Sequence, residues 1–294
     1  MAGRRARGLA RAAGAIAAGV VLGAGAWVGE HSLAGARSGR PPAARAQTAD
    51  PFASAAMARL LGARRGNIAA GVYDVRRGRT WLFHGEDHEQ TGSIVKVDIL
   101  ATLLHAEQDE GETLSSDEEE LATGMIEASD NDDANELWAQ DGGAAGVGAF
   151  DARIGMIHTH PNLEGYWGET PTTARDQLVL LRRVFMRNGV LSAASRSYIR
   201  ELMENVEAFE DWGVSAGPPA GVSVALKNGW VPIAGDDWQV NSIGRVKGDG
   251  QDYLIAILTN HDHGEQYGID TVEAVSRIVW HTLAAGRVAA ARRL

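Results

Sequence analysis

The 294-residue chain contains no cysteine. That removes disulfide frameworks, thiolate metal sites and thiol nucleophiles, and it leaves no thiol for a lipid anchor. It does not fix the compartment, because exported bacterial-type proteins often lack disulfides. Lysine is nearly absent as well: positions 96, 227 and 247 hold the only three, against 25 arginines. Arginine stays protonated in a protein, whereas lysine shifts its pKa readily when buried. This chain uses arginine wherever charge alone suffices, so each lysine needs a reason. An excess of positive charge is also missing. Beyond residue 46 there are 21 basic and 37 acidic side chains, which argues against nucleic acid and anionic membrane surfaces as partners.

What is present is enough for a core, with 45% hydrophobic residues, and 36 glycines suited to a turn-rich globular fold. At the N-terminus, Arg4, Arg5, Arg7 and Arg11 precede a small and apolar run from Ala12 to Val28. This is the pattern of an export signal. Cleavage is expected after Ala24-Gly25-Ala26 or, beyond a Gly/Pro/Arg-rich spacer, after Ala44-Arg45-Ala46; retention as an anchor is the alternative. Residues 1–46 are therefore read as signal or anchor plus spacer, and 47–294 as one domain.

Within that domain Phe52, Met57, Leu60 and Leu61 have helical spacing. Residues 67–74 and 80–83 read as strands joined by the turn Arg76-Arg77-Gly78-Arg79. Helices follow over 93–104, from Glu118 to Ala128, over 132–140, 151–157 and 172–185, and over 195–206. Residues 222–226 read as a strand that ends in Lys227-Asn228-Gly229-Trp230. Residues 239–246 and 253–259 form a hairpin, and a helix over 269–291 closes the chain. Strands from both ends with helices between them predict an α+β fold. One antiparallel sheet is flanked by N- and C-terminal helices, with an all-helical subdomain inserted.

The chemistry concentrates at Thr91-Gly92-Ser93-Ile94-Val95-Lys96. Residues three apart share a helix face, so the Ser93 hydroxyl and Lys96 amine lie together. The apolar residues around them predict a buried helix, on which a neutralised lysine can take the serine proton. Alone, Ser-x-x-Lys is a short pattern. It is joined by Ser129-Asp130-Asn131 in a break between two helices, and by Lys227-Asn228-Gly229. In order, spacing and surroundings these elements resemble the penicillin-recognising serine hydrolases, most closely class A β-lactamases and related penicillin-binding proteins. Ala128, Ala134-Asn135 and Thr172-Thr173-Ala174-Arg175-Asp176 add to the resemblance, which covers roughly residues 50–285.

The resemblance implies an acyl-enzyme on Ser93, with Lys96 as base or proton relay. Ser129, helped by Lys227, would carry the proton to the leaving nitrogen. Asn131 would bond the substrate amide, and the Ser93 and Trp230 amides would form the oxyanion hole. Asn228, Gly229 and Trp230 would border the substrate. The implied substrate is a small β-lactam or a peptidoglycan-derived amide or ester, with no cofactor and no protein partner. Export to the cell envelope or outside follows from the N-terminal segment. Two departures stand out. No Glu-x-x-x-Asn element precedes Thr172-Thr173 to hold a deacylating water; Glu164 is the better positioned of the two nearby glutamates, ahead of Glu169. Asn228 stands where the family usually has a hydroxyl that helps bind a carboxylate. The departures favour, as an alternative, a slowly deacylating D-Ala-D-Ala-type peptidase or esterase; a non-catalytic wall-binding module is the third reading. Trp167, in the shortened loop, is a candidate substrate contact. The pairs His158/His160 and His261/His263 are read as polar loop residues, not metal ligands.

Overall fold

Strands form here where small and β-branched residues bury both faces. Along β1 (Asn67–Asp74), Ala69 and Tyr73 join one buried cluster, while Ile68, Ala70 and Val72 join another. β7 (Gln251–Asn260) repeats the split, with Leu254, Ala256 and Leu258 set against Tyr253, Ile255 and Ile257. A period of two that is apolar in both phases belongs to a sheet covered on both sides. The computed structural model, which describes residues 49–233 and 237–291 with side chains to 286, contains that sheet. Its five antiparallel strands run in the order β2-β1-β7-β6-β5, where β2 is Arg79–Phe83, β5 is Ser223–Pro232 and β6 is Trp238–Gly248. β5 is thus an edge strand. The signal or anchor read in residues 1–46 lies outside the described residues.

One face of the sheet packs on α1 (Ala55–Ala63) and α8 (Glu265–Ala291), through Met57, Val272, Val275 and Val279. The other face meets the helical middle: α2 (Lys96–Glu110), α3 (Ser116–Glu127), α4 (Asn131–Gln140), α5 (Gly143–Ile154), α6 (Ala174–Phe185) and α7 (Ala193–Glu204). The expected α+β architecture is present. α2 is its axis, with every residue from Lys96 to His105 buried.

Three local readings change. α5 begins at Gly143 and not at Asp151, because Val147, Phe150 and Ile154 bury one stripe that outweighs the poor propensity of its glycines. β5 does not end before Lys227 but runs through Lys227-Asn228-Gly229-Trp230 to Pro232. A further two-stranded sheet, β3 (Glu89–Gln90) with β4 (Pro171–Thr172), ties the segment before Ser93 to the one before α6.

The helical core also buries acids. Asp98 of α2 faces Asp151 of α5, with Asp176 of α6 close to both. Two carboxyl groups can hydrogen-bond only if one keeps its proton, and burial raises the pKa of each. Asp141 at the end of α4 is pushed up to about 8 by burial alone. A carboxyl whose pKa is higher folded than unfolded stabilises the fold fully below the unfolded value. That stabilisation drains away as pH rises toward the folded value. The urea midpoint should therefore fall between pH 4.5 and 6.5, below the range where the buried lysines titrate. Each retained proton contributes up to about 1.4 kcal/mol per pH unit. Asp98→Asn should flatten the slope; a midpoint that climbs across this window would contradict the assignment.

Candidate active site

The Ser93 segment is set by glycines that let two backbones touch. Gly92 has φ +54°, and a Cβ there would lie 2.7 Å from the Trp230 amide nitrogen. A Cβ on Gly229 would lie 2.5 Å from the Ser93 nitrogen and 2.7 Å from that of Ile94. The absence of side chains at both positions brings the Ser93 and Trp230 amides to one stretch of wall. Residues Gly92–Val95 form a 3₁₀ turn that passes into α2 at Lys96. In such a turn positions three apart eclipse, so Ser93 and Lys96 align although no α-helix spans them. Ser93 is half-buried, not buried as the sequence suggested, and its hydroxyl makes no hydrogen bond to any described residue.

Ser129 is held in the left-handed region at φ 57°, a conformation costing a non-glycine residue roughly 1–2 kcal/mol. The Asp130 carboxylate, which caps α4 by accepting from Asp132 and Asp133 N–H, fixes the turn. The turn aims Ser129 between two ammonium groups. Lys96 Nζ donates to Ser129 Oγ at 3.3 Å, to Ser129 O at 2.7 Å and to Asn131 Oδ1 at 2.7 Å. Lys227 Nζ donates to Ser129 Oγ at 2.9 Å. Because both lysines donate to this oxygen, its own proton is left for a third group.

Both lysines are fully buried. Burial, reinforced by the Lys227 charge, brings Lys96 down to about 7. Burial brings Lys227 to about 8, against the opposing pull of Glu210. Glu210 Oε2 lies 3.5 Å from Lys227 Nζ, and that side chain is buried too; its own pKa is raised, by burial first. So the site contains one lysine that can lose its proton near neutrality, and one that a carboxylate helps keep charged.

Asn228 is not among the residues that line the cleft beside Ser93. Adjacent strand residues point to opposite faces, and with Lys227 toward Ser129, Asn228 turns inward. Its Nδ2 donates to Glu210 O at 2.6 Å and to Trp212 O at 3.3 Å. Gly229 contributes close packing, and the Trp230 ring leans on that of Trp212 with centroids 5.9 Å apart.

The cleft beside Ser93 has a volume of about 320 Å³. Ser93, Asn131 and Asn135 border it with Tyr166, Trp167 and Glu169 on one side and Trp230, Val231 and Pro232 on the other. Glu164 is not among its lining residues: it is exposed, and its N–H donates to Asn162 Oδ1. Of the two glutamates, Glu169 is the one that lines the cleft. Trp167 sits deeper, its ring centroid 5.0 Å from Lys96 Nζ and its Nε1 donating to Asn135 Oδ1 at 2.8 Å. Thr91, fully buried, staples this loop by donating from N to Thr170 O at 2.9 Å and from Oγ1 to Gly168 O at 3.3 Å. The histidine pairs are apart from the cleft. His158 Nε2 is 3.8 Å from Glu86, and His261 Nδ1 is 3.0 Å from Asp237. Among the described residues no group of three or more His, Asp or Glu is placed to hold a metal ion.

The model of a family described as a β-lactamase enzyme family matches residues 112–283, more than half of the chain. The chain belongs to this β-lactamase enzyme family. The match takes in Ser129-Asp130-Asn131, Glu210 and Lys227, and begins after α2. A protein named "Putative lipoprotein LppW" in Mycobacterium tuberculosis is 30% identical over 172 residues, which are 57% of this chain and 54% of that protein. The chain thus spans about half the length of the curated relatives it matches. Solved structures share the β-lactamase fold across the described domain. A class A β-lactamase from Mycobacterium abscessus superposes with TM-score 0.67 at 22% identity, covering 78% of this chain and 98% of that one. A β-lactamase from Chitinophaga pinensis gives TM-score 0.68 at 19% identity, with 78% and 97% covered. The structure titled PBP-A gives 0.68 at 21% identity, with 79% and 97% covered.

Of this β-lactamase-like site, Glu210 escaped the sequence reading, and Asn135 entered it only as part of the resemblance, with no role. Glu210 is one acid in an acidic chain and carries no pattern. Asn135 was visible four residues after Asn131, on the same helix face, and that spacing could have placed it at the cleft.

Proposed function

We propose that the chain is an exported serine hydrolase that forms an acyl-enzyme on Ser93 and releases the acyl group slowly. The observation that carries this reading is the position of Ser129 Oγ between two buried lysines, 3.3 Å from one and 2.9 Å from the other, beside a cleft that Ser93 lines. Neutral Lys96 takes the Ser93 proton as Oγ bonds the acyl carbon. The Ser93 and Trp230 amides stabilise the negative oxygen. Ser129 then gives its proton to the leaving atom as the acyl–leaving-group bond breaks, and Lys227 replaces that proton. Asn131 accepts from Lys96 through Oδ1, which leaves its NH₂ for a substrate carbonyl.

Slow release follows from the space above Lys96, which the Trp167 ring fills where an attacking water would need to stand. Export is supported by the arginine-led apolar segment at the N-terminus and by the lipoprotein name of the mycobacterial relatives; with no cysteine, this chain cannot use a thiol-linked lipid. Mixing the protein with a p-nitrophenyl ester should release about one equivalent of nitrophenol in a burst, followed by slow turnover. Ser93→Ala should lose the burst. Linear turnover at the same rate in both proteins would refute the proposal.

A further inference from the structure

We infer that the cleft is built for uncharged acyl donors, esters or amides carrying no carboxylate near the scissile bond. This rests on Ser93 being the acylated residue. Glu169 is the one acidic or basic residue (Asp, Glu, His, Lys or Arg) among the described residues that line the cleft, and its carboxylate is exposed. Both nearby cations are committed elsewhere. As the ammonium, Lys96 directs its three N–H groups at Ser129 O, Ser129 Oγ and Asn131 Oδ1, and in the neutral form that takes the Ser93 proton it offers an anion no charge. Lys227 bonds Ser129 Oγ and Asn228 O while Glu210, 3.5 Å away, balances its charge.

Behind the edge strand, the amide of Asn228 is committed as well. Asn228 gives its amide hydrogens to the Glu210 and Trp212 carbonyls. An anion entering the cleft would lose its water and meet a carboxylate, with no cation to replace the lost solvation. The walls offer apolar contact in its place. Tyr166 is 60% exposed, Trp167 lies beside it, and Val231 and Pro232 face them on the edge strand. Such a surface rewards a flat or apolar neutral group with contact area and asks for no ionic anchor.

Benzylpenicillin and its methyl ester share the β-lactam and side chain and differ in whether the neighbouring carboxylate is free or methylated, and intact-mass kinetics on the full-length protein compare their acylation rates. The methyl ester should acylate at least about tenfold faster, a barrier difference of about 1.4 kcal/mol. Glu169→Gln should narrow the gap by raising the rate of the free acid. Because Glu169 is exposed, added salt should narrow it too. Equal rates, or a faster free acid, would overturn the inference while leaving Ser93 acylation standing. No adduct from either compound or from a p-nitrophenyl ester would remove the acylation reading and the inference with it.

Discussion

Lys96→Ala slows formation of the Ser93 acyl-enzyme by about two to four orders of magnitude, the contribution expected of a positioned general base. A serine hydroxyl is a poor nucleophile until a base takes its proton, and the 3₁₀ turn places no other titratable side chain on the Ser93 face. Lys96 can do this because burial first, and the Lys227 charge second, bring its pKa to about 7. In the wild type, acylation should climb as pH passes that value. It should fall again as Lys227, brought to about 8, loses its proton and Ser129 loses its resupply. The two limbs belong to the coupled pair of lysines and not to either residue alone. Lys96→Arg separates charge from basicity. It keeps a cation beside Ser129 but cannot deprotonate near neutrality, so it should be nearly as slow as the alanine variant, without the rising limb. Circular dichroism would establish that both variants are folded. Stopped-flow acylation with the rising limb intact in Lys96→Arg would show that Lys96 is not the base.

Trp167→Ala should speed loss of the acyl group by about tenfold or more, which is about 1.4 kcal/mol off the deacylation barrier. The indole is fixed from two sides. Asn135 Oδ1 accepts its N–H, and the ring lies over Lys96 Nζ with the centroid 5.0 Å away. Thr91 anchors the backbone of the loop that carries it. Truncation opens room for a water beside Lys96, whose neutral form can activate it. Asn135→Ala should act in the same direction more weakly, because the ring keeps its stacking. Chase experiments on the preformed acyl-enzyme report this step separately from acylation. An unchanged or longer adduct lifetime in Trp167→Ala would show that the indole does not hold water away.

The residues proposed for acylation stood out in the sequence because lysine is so scarce. Of the three lysines, Lys96 falls in Ser93-x-x-Lys96 and Lys227 in Lys227-Asn228-Gly229. The sheet was legible from its period-two apolar pattern on β1 and β7. Asn228 was misplaced for a traceable reason: ending β5 at Leu226 prevented the alternation rule from reaching Lys227 and Asn228, and that rule turns one toward Ser129 and the other away. Glu164 was preferred on position in a loop whose path depends on the β3–β4 pairing, two strands of two residues each with no sequence signature. Glu210 could not have been found by pattern at all. Its importance comes from burial against Lys227, a relation between residues 17 apart that exists only once β5 is in place.

Intact-mass spectrometry of the wild type and Ser93→Ala after exposure to an uncharged ester, followed by peptide mapping, tests the central claim most directly. The account predicts one acyl adduct per wild-type chain, mapped to the peptide carrying Ser93 and persisting well beyond the burst, with none on Ser93→Ala. An adduct on another residue, or the same adduct on both proteins, would contradict it.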